Sequence, residues 1–356
     1  MAFKLHPQFK LNGHTFSNEE LKEVSYSLIK EGEDFEKEIG DFILDWLSDD
    51  SELTIRTSGS TGVPKRVGLK KIHMVNSAKV TGDYFGLEAG DRVLLCLSTG
   101  YIAGQMMLVR AMVLGLELDF VAPTSRPLDR ITKSYKFCAM VPLQLASSLN
   151  NLDRIHTLIV GGAPVSSKLK RLIKESTTRI FETYGMTETI THVAVRPLSQ
   201  FETGADHDVF EILEDISISQ DDRKCLVINA PNISDNPVIT NDIVEIISDK
   251  EFRWLGRFDN VINSGGVKLI PEKIEDKLAA VIKSNFFISA IPDEHLGQKL
   301  ILIVEGKTID NLQEMIGDLD LDKFEKPKET LYVPQFKYTV NGKIIRDKTL
   351  SLIKNK

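Results

Sequence analysis

The stretch Thr57-Ser58-Gly59-Ser60-Thr61-Gly62-Val63-Pro64-Lys65 gathers four hydroxyls, two glycines and a lysine. Glycines let backbone N–H groups approach a ligand closely. The hydroxyls and Lys65 add donors and a cation, the set that polyphosphate oxygens need. A plain surface hairpin loop has the same composition. A Walker A loop is excluded, because Val63-Pro64 separates Gly62 from Lys65 and strand-like Val67-Gly68-Leu69 follows instead of a helix. Four later segments also bear groups suited to chemistry: Gly161-Gly162-Ala163-Pro164, Tyr184-Gly185-Met186-Thr187-Glu188-Thr189, Gly256-Arg257-Phe258-Asp259 through Pro271-Glu272-Lys273-Ile274-Glu275, and Asn341-Gly342-Lys343-Ile344.

In this order the five segments resemble the adenylate-forming superfamily of acyl- and aryl-CoA ligases, nonribosomal adenylation domains and luciferases. The likeness covers most of the chain after residue 50. It implies that a substrate carboxylate attacks the α-phosphorus of ATP, releasing pyrophosphate and leaving an acyl-adenylate. Charge builds on phosphoryl oxygens, so catalysis rests on positioning and electrostatics. The resemblance assigns Thr57 to Gly62 and Lys65 to the β- and γ-phosphates, and Gly162, Ala163 and Pro164 to an adenine-contacting turn. Tyr184 and Gly185 would flank adenine, Thr187 would touch the α-phosphate, and Glu188 would ligate Mg2+, a hard ion suited to carboxylate. Asp242 would hold the ribose hydroxyls and Arg257 the same nucleotide. The family's Thr-Gly-Asp reads Thr240-Asn241-Asp242 here, and Asn is the usual stand-in for Gly at positive φ. Lys343, with Thr339 upstream, matches the mobile catalytic lysine. Asp259 matches the hinge, and Gly265 and Gly266 would line the path of the coenzyme A thiol arm.

Within the superfamily, Tyr101-Ile102-Ala103-Gly104-Gln105 followed by Arg110 is similar to the His-x-Ser-Gly…Arg segment of the o-succinylbenzoate–CoA ligases of menaquinone synthesis, with Tyr101 and Ala103 as departures. Tyr101, Gly104, Gln105 and Arg110 are the expected acid-binding residues. Arginine inside an apolar helix is costly unless paired. It is either a structural ion pair or a clamp for a second carboxylate. Small residues such as Ala103-Gly104 leave room for an aromatic acid. The seven histidines offer no catalytic base, and a carboxylate nucleophile needs none. His192 is read as a packed histidine, the acid-pocket wall being the alternative. Another aryl- or acyl-CoA ligase, an acyl-protein synthetase or an inactive nucleotide-binding regulator are the competing functions.

These residues need a scaffold, and the rest of the sequence describes one. The chain has 356 residues, 42% hydrophobic and 27% charged, with net charge -7. That suffices for about two domains with a core. It offers no global attraction to nucleic acid or anionic membrane. Three cysteines in apolar runs are read as small buried hydrophobes in strands. No zinc motif, secretory signal or membrane-spanning stretch is present, so a cytoplasmic protein is expected. Helical spacing covers residues 17–48. Strands then alternate with helices: Arg92–Leu97, Glu117–Val121, Phe137–Val141, Thr157–Val160 and Arg179–Glu182 as strands, Gln105–Leu114 as a helix, and further helices from Pro142 and near Ser166. This α/β alternation predicts a mostly parallel sheet with helices on its faces. Short strands from Asp208 predict a small β subdomain. The reading is an N-terminal adenylate-forming domain, 1–258, with only some fifty residues before the phosphate loop, and a mobile α+β C-terminal domain, 259–356.

Overall fold

The computed structural model describes residues 4–56, 66–199, 208–338 and 344–354. The expected phosphate loop, Thr57 to Lys65, and the expected lysine, Lys343, lie outside the described residues. The chain forms two compact units. One comprises Met1–Val165, Ile173–Ser217 and Ile228–Val238, the other Ser166–Leu172, Ile218–Val227 and Ile239–Lys356.

The chain opens with β1 (Lys10–Leu11), β2 (His14–Thr15), α1 (Asn18–Glu31), α2 (Asp34–Leu47), the antiparallel pair β3 (Glu52–Arg56) and β4 (Arg66–Lys70), and α3 (Lys71–Phe85). It continues through β5 (Arg92–Leu95), α4 (Ile102–Leu114), β6 (Glu117–Phe120), β7 (Tyr135–Met140), α5 (Pro142–Ser147), β8 (Ile155–Val160), α6 (Ser167–Ile173), β9 (Arg179–Gly185), β10 (His192–Pro197) and β11 (Val209–Ile212). In the first unit the strand order is β11-β10-β9-β8-β7-β5-β6-β1-β2. Neighbours from β9 across to β1 are parallel, while β10, β11 and β2 pair antiparallel. The α/β expectation holds. Parallel strands covered on both faces read as continuous apolar runs, and β7 and β8 carry Phe137–Met140 and Thr157–Val160 buried throughout.

The 17–48 expectation resolves into α1 and α2. Ser17 caps α1, exchanging hydrogen bonds with Glu20 in a capping box. Ile39, Phe42, Ile43, Trp46 and Leu47 fall on the buried face of α2. All three cysteines are buried. Cys138 lies in β7, Cys96 follows β5 by one residue, and their sulfurs are 3.7 Å apart.

The later chain comprises β12 (Ser217–Gln220), β13 (Cys225–Asn229), β14 (Val238–Ser248), β15 (Glu251–Arg257), β16 (Ile262–Ser264), β17 (Val267–Leu269), α7 (Pro271–Leu278), β18 (Phe286–Asp293), β19 (Gly297–Glu305), α8 (Leu312–Gly317), β20 (Glu329–Val333) and α9 (Arg346–Lys354). Strands β17-β16-β19-β18 form a sheet, with β20 parallel to β19. The apolar run in β19 is again explained by two covered faces: Leu300, Leu302 and Val304 join the cluster of Ile274 and Leu278, while Ile301 and Ile303 join that of Phe287 and Phe336. Among the described residues no helix is long and apolar enough to cross a membrane.

Candidate active site

The adenine-turn candidates follow β8 directly. Gly161 donates its N–H to Met140 O (3.1 Å), and a Cβ at Gly161 would collide with Thr183 Oγ1. Behind the turn, the Val165 amide donates to Glu182 Oε1 (3.0 Å). Glu182 is itself buried against Arg196, whose guanidinium also lies 4.4 Å from the Phe210 ring centre. This support has no sequence signature, since Glu182 and Arg196 sit on neighbouring strands fourteen residues apart.

Tyr184 and Gly185 end β9. The Tyr184 and Phe210 rings lie 5.8 Å apart. Gly185 passes so close to the Thr191 carbonyl and His192 Cα that no side chain fits. The following turn closes on itself: Met186 N–H donates to Thr189 Oγ1 (3.0 Å) and Ile190 N–H to Thr187 O (2.9 Å). Ile190 sits at φ 65°, a strained position for a β-branched residue. Thr187 and Glu188 ride on this turn, and the Glu188 side chain is exposed. No cluster of three metal-ligating side chains occurs among the described residues. A lone exposed carboxylate fits Mg2+, which keeps waters and shares substrate phosphates.

The acid-site candidates lie on α4 of the same unit. Tyr101 is the half-buried N-cap residue. The space beside Gly104 is taken by the Ser98 carbonyl, so this glycine serves backbone packing. Gln105 Oε1 is buried without a hydrogen-bond partner. Arg110 is 2% exposed. It donates from Nη2 to Thr191 Oγ1 (3.0 Å) and lies 3.8 Å from Met107 Sδ, while its Nε has no partner. No carboxylate among the described residues pairs with it. Burial pulls its pKa down to about 9. Thr191 Oγ1 also meets His192 Nδ1 at 3.1 Å. The His192 ring is buried and its pKa held well below the usual value, by burial first and then by the Arg110 charge. The Arg110–Thr191 contact joins residues 81 apart; nothing local announces it.

The second unit brings Asp242, Arg257 and Asp259 together. Asp242 and Arg257 are register partners on β14 and β15. The buried Asp242 carboxylate accepts from Trp254 Nε1 (3.1 Å) and lies 3.6 Å from Arg257 Nη1. Arg257 Nη2 donates to Asp259 (3.0 Å). Trp254 is the partner that sequence reading missed. Asn241 does not occupy the expected positive-φ turn: it lies inside β14 and is absent from the left-handed residues. Its side chain accepts from Arg223 (2.8 Å) and donates to Asp259 (3.3 Å). Gly265 and Gly266, at φ 59° and 80°, form the two-residue turn between β16 and β17. A type I′ turn needs both positive angles, which accounts for the glycines.

The AMP-binding enzyme family model matches residues 20–209, more than half of the chain. An acyl-CoA synthetase (AMP-forming)/AMP-acid ligase II-like protein from Dyadobacter fermentans is 36% identical, with 93% of this chain and 98% of that one covered and a TM-score of 0.62. The 2-succinylbenzoate–CoA ligase of Escherichia coli is 25% identical over 78% of this chain, which spans 64% of that relative's length. The fold also matches the o-succinylbenzoate coenzyme A synthetase of Bacillus subtilis in complex with ATP and magnesium ion: TM-score 0.72, 18% identity, 95% of this chain and 83% of that one. On the family match and the Dyadobacter relative, the chain belongs to the AMP-binding enzyme family.

Proposed function

We propose that this protein is an AMP-forming acid–thiol ligase whose acid carries a second carboxylate, as 2-succinylbenzoate does. The substrate carboxylate oxygen attacks the α-phosphorus of ATP, pyrophosphate leaves, and the thiol of coenzyme A then displaces AMP from the acyl carbon. The observation that carries the reading is Arg110, a guanidinium buried without a carboxylate among the described residues. A buried unpaired cation costs several kcal/mol, and an incoming anion would supply its counterion. The relatives named 2-succinylbenzoate–CoA ligase support the same class of acid.

Other residues take roles in proportion. Glu188 would hold Mg2+, which neutralises charge on the phosphates. Tyr184 would stack on adenine and Asp242 would accept from the ribose hydroxyls. The loop of Thr57 to Lys65 would cradle the outer phosphates, and Lys343 would reach the α-phosphate during adenylation. Asp259 would act as a hinge that exchanges the lysine for the coenzyme A path by Gly265 and Gly266, moving residues 259–356 against 1–258.

Pyrophosphate release with Mg-ATP and 2-succinylbenzoate, with and without coenzyme A, tests the reading beside benzoate and a fatty acid. Turnover that needs 2-succinylbenzoate and is completed by coenzyme A is expected. Turnover only with a monocarboxylate would discard the acid, and no turnover with any acid would discard the ligase. Lys343→Ala should stop adenylation yet still form thioester from supplied acyl-adenylate.

A further inference from the structure

We propose that His192 determines specificity at the acid site, as a fixed neutral donor that selects an acid bearing an uncharged acceptor oxygen, such as a ketone, beside the carboxylate that Arg110 holds. The inference deepens the acid-ligase reading and rests on it.

One hydroxyl lies between the two side chains. Arg110 can only donate, so Thr191 Oγ1 accepts its N–H at 3.0 Å. The single proton of that hydroxyl has His192 Nδ1 as its neighbour, at 3.1 Å. Donating there satisfies it, and we assign the hydroxyl proton to that contact. The imidazole proton is thereby placed on Nε2. That atom is buried and has no hydrogen-bond partner.

A buried N–H with no acceptor is costly, and natural proteins rarely keep one without a reason. His192 lines a cavity of about 20 Å³ with Ser77, Glu214, Asp215 and Asn232 among apolar side chains that include Leu213 and Ile216. That is room for one water-sized group, so an acceptor oxygen fits where a larger group does not. The two donors divide the work by charge. The guanidinium suits a carboxylate, which it can pair with. The neutral imidazole, kept uncharged by burial and by Arg110, suits a neutral carbonyl. A site built around a donor rejects the analogue lacking the acceptor, because its own polar group is then left unpaired.

The test compares 2-succinylbenzoate with its analogue in which CH2 replaces the ketone, in the wild type and in His192→Phe and His192→Gln. Wild-type kcat/KM should favour the ketone roughly ten- to hundredfold. His192→Phe should erase that preference while the KM for ATP stays put, and His192→Gln, which keeps a donor, should restore part of it. A ketone preference that survives in folded His192→Phe, or none in the wild type, overturns the proposal; the latter is the result if only a water fills the cavity. Should His192→Phe fail to fold, 15N-histidine NMR of the wild type decides: the proton must sit on Nε2 and that signal must shift when 2-succinylbenzoate is added. A proton on Nδ1, or no shift, overturns it. Failure of the ligase reading is distinct, since the wild type would then release no pyrophosphate with either acid.

Discussion

Glu182 and Arg196 form a buried ion pair on the antiparallel strands β9 and β10, with Nε and Nη2 both within 2.9 Å of Glu182 Oε2. The other carboxylate oxygen holds the Val165 amide just past the Gly161-Gly162-Ala163-Pro164 turn. The pair therefore ties the turn to the sheet. Arg196→Met removes one partner and strands a buried carboxylate, a change that costs about 3–5 kcal/mol. Urea unfolding should show a loss of that size, and the KM for ATP should rise in the folded variant. Unchanged stability would mean that the carboxylate is not held by Arg196.

Asp242 lies in a different setting, with one oxygen shared by the Trp254 indole and the Arg257 guanidinium. The proposed ribose contact is to this carboxylate. Asp242→Ala should raise the KM for ATP about ten- to hundredfold, the range for a hydrogen bond to a charged group, with a much smaller change in the KM for the acid. Trp254→Phe removes the donor that orients the carboxylate and should act in the same direction with a smaller effect. Equal rises for ATP and acid in Asp242→Ala would point to general loosening.

The parallel-sheet plan was legible because its strands are short apolar runs separated by helices and turn residues. Helix α3 was not. Its buried face uses Ser77, Thr81 and Gly82 beside Met74 and Ala78, so its pattern is not that of an apolar stripe. The reason lies in packing: a Cβ at Gly82 would press on Leu114 of α4 at 2.8 Å, and Thr81 turns its hydroxyl back to Ser77 O (2.9 Å). Candidate motifs that are contiguous, such as Tyr184–Thr189, could be picked out along the chain. Arg110 could be read as an oddity, but its meaning depends on Thr191 and His192, which only folding brings to it. Asn241 departs from expectation for the converse reason: asparagine stands in for glycine at positive-φ turns, whereas here the backbone is a strand.

In the second unit, the Arg346 guanidinium is 2.9 Å from Glu275 Oε2 and 3.8 Å from Glu272 Oε1, and Glu275 Oε1 accepts from the Ile288 amide. Burial nevertheless dominates and pushes the Glu275 carboxyl up to about 7. A raised carboxyl pKa means that the folded chain binds the proton more tightly than the unfolded one. The resulting stability is present below the unfolded value near 4.5 and is lost as pH climbs to about 7, by up to about 3 kcal/mol. Glu275→Gln should flatten this part of the profile. Urea midpoints at pH 5 and pH 7.5 check it, and a variant as steep as the wild type would assign the slope to other groups.

Arg110 lets stability and function be set against each other. A structural ion pair and a substrate clamp predict opposite signs for Arg110→Met, which keeps a long apolar stem and removes the charge. If the guanidinium waits for an anion, the ligand-free fold gains or holds its ground, because replacing a buried charge by an apolar side chain is neutral or stabilising by about 1–4 kcal/mol. The kcat/KM for a dicarboxylate should meanwhile fall about a hundredfold or more, the cost of truncating one side of a buried charge pair. A monocarboxylate should lose far less, since it never supplied the second anion. Thermal unfolding and the two acid series together decide. A variant that loses several kcal/mol of stability, with equal losses for both acids, would return Arg110 to a purely structural role through Thr191.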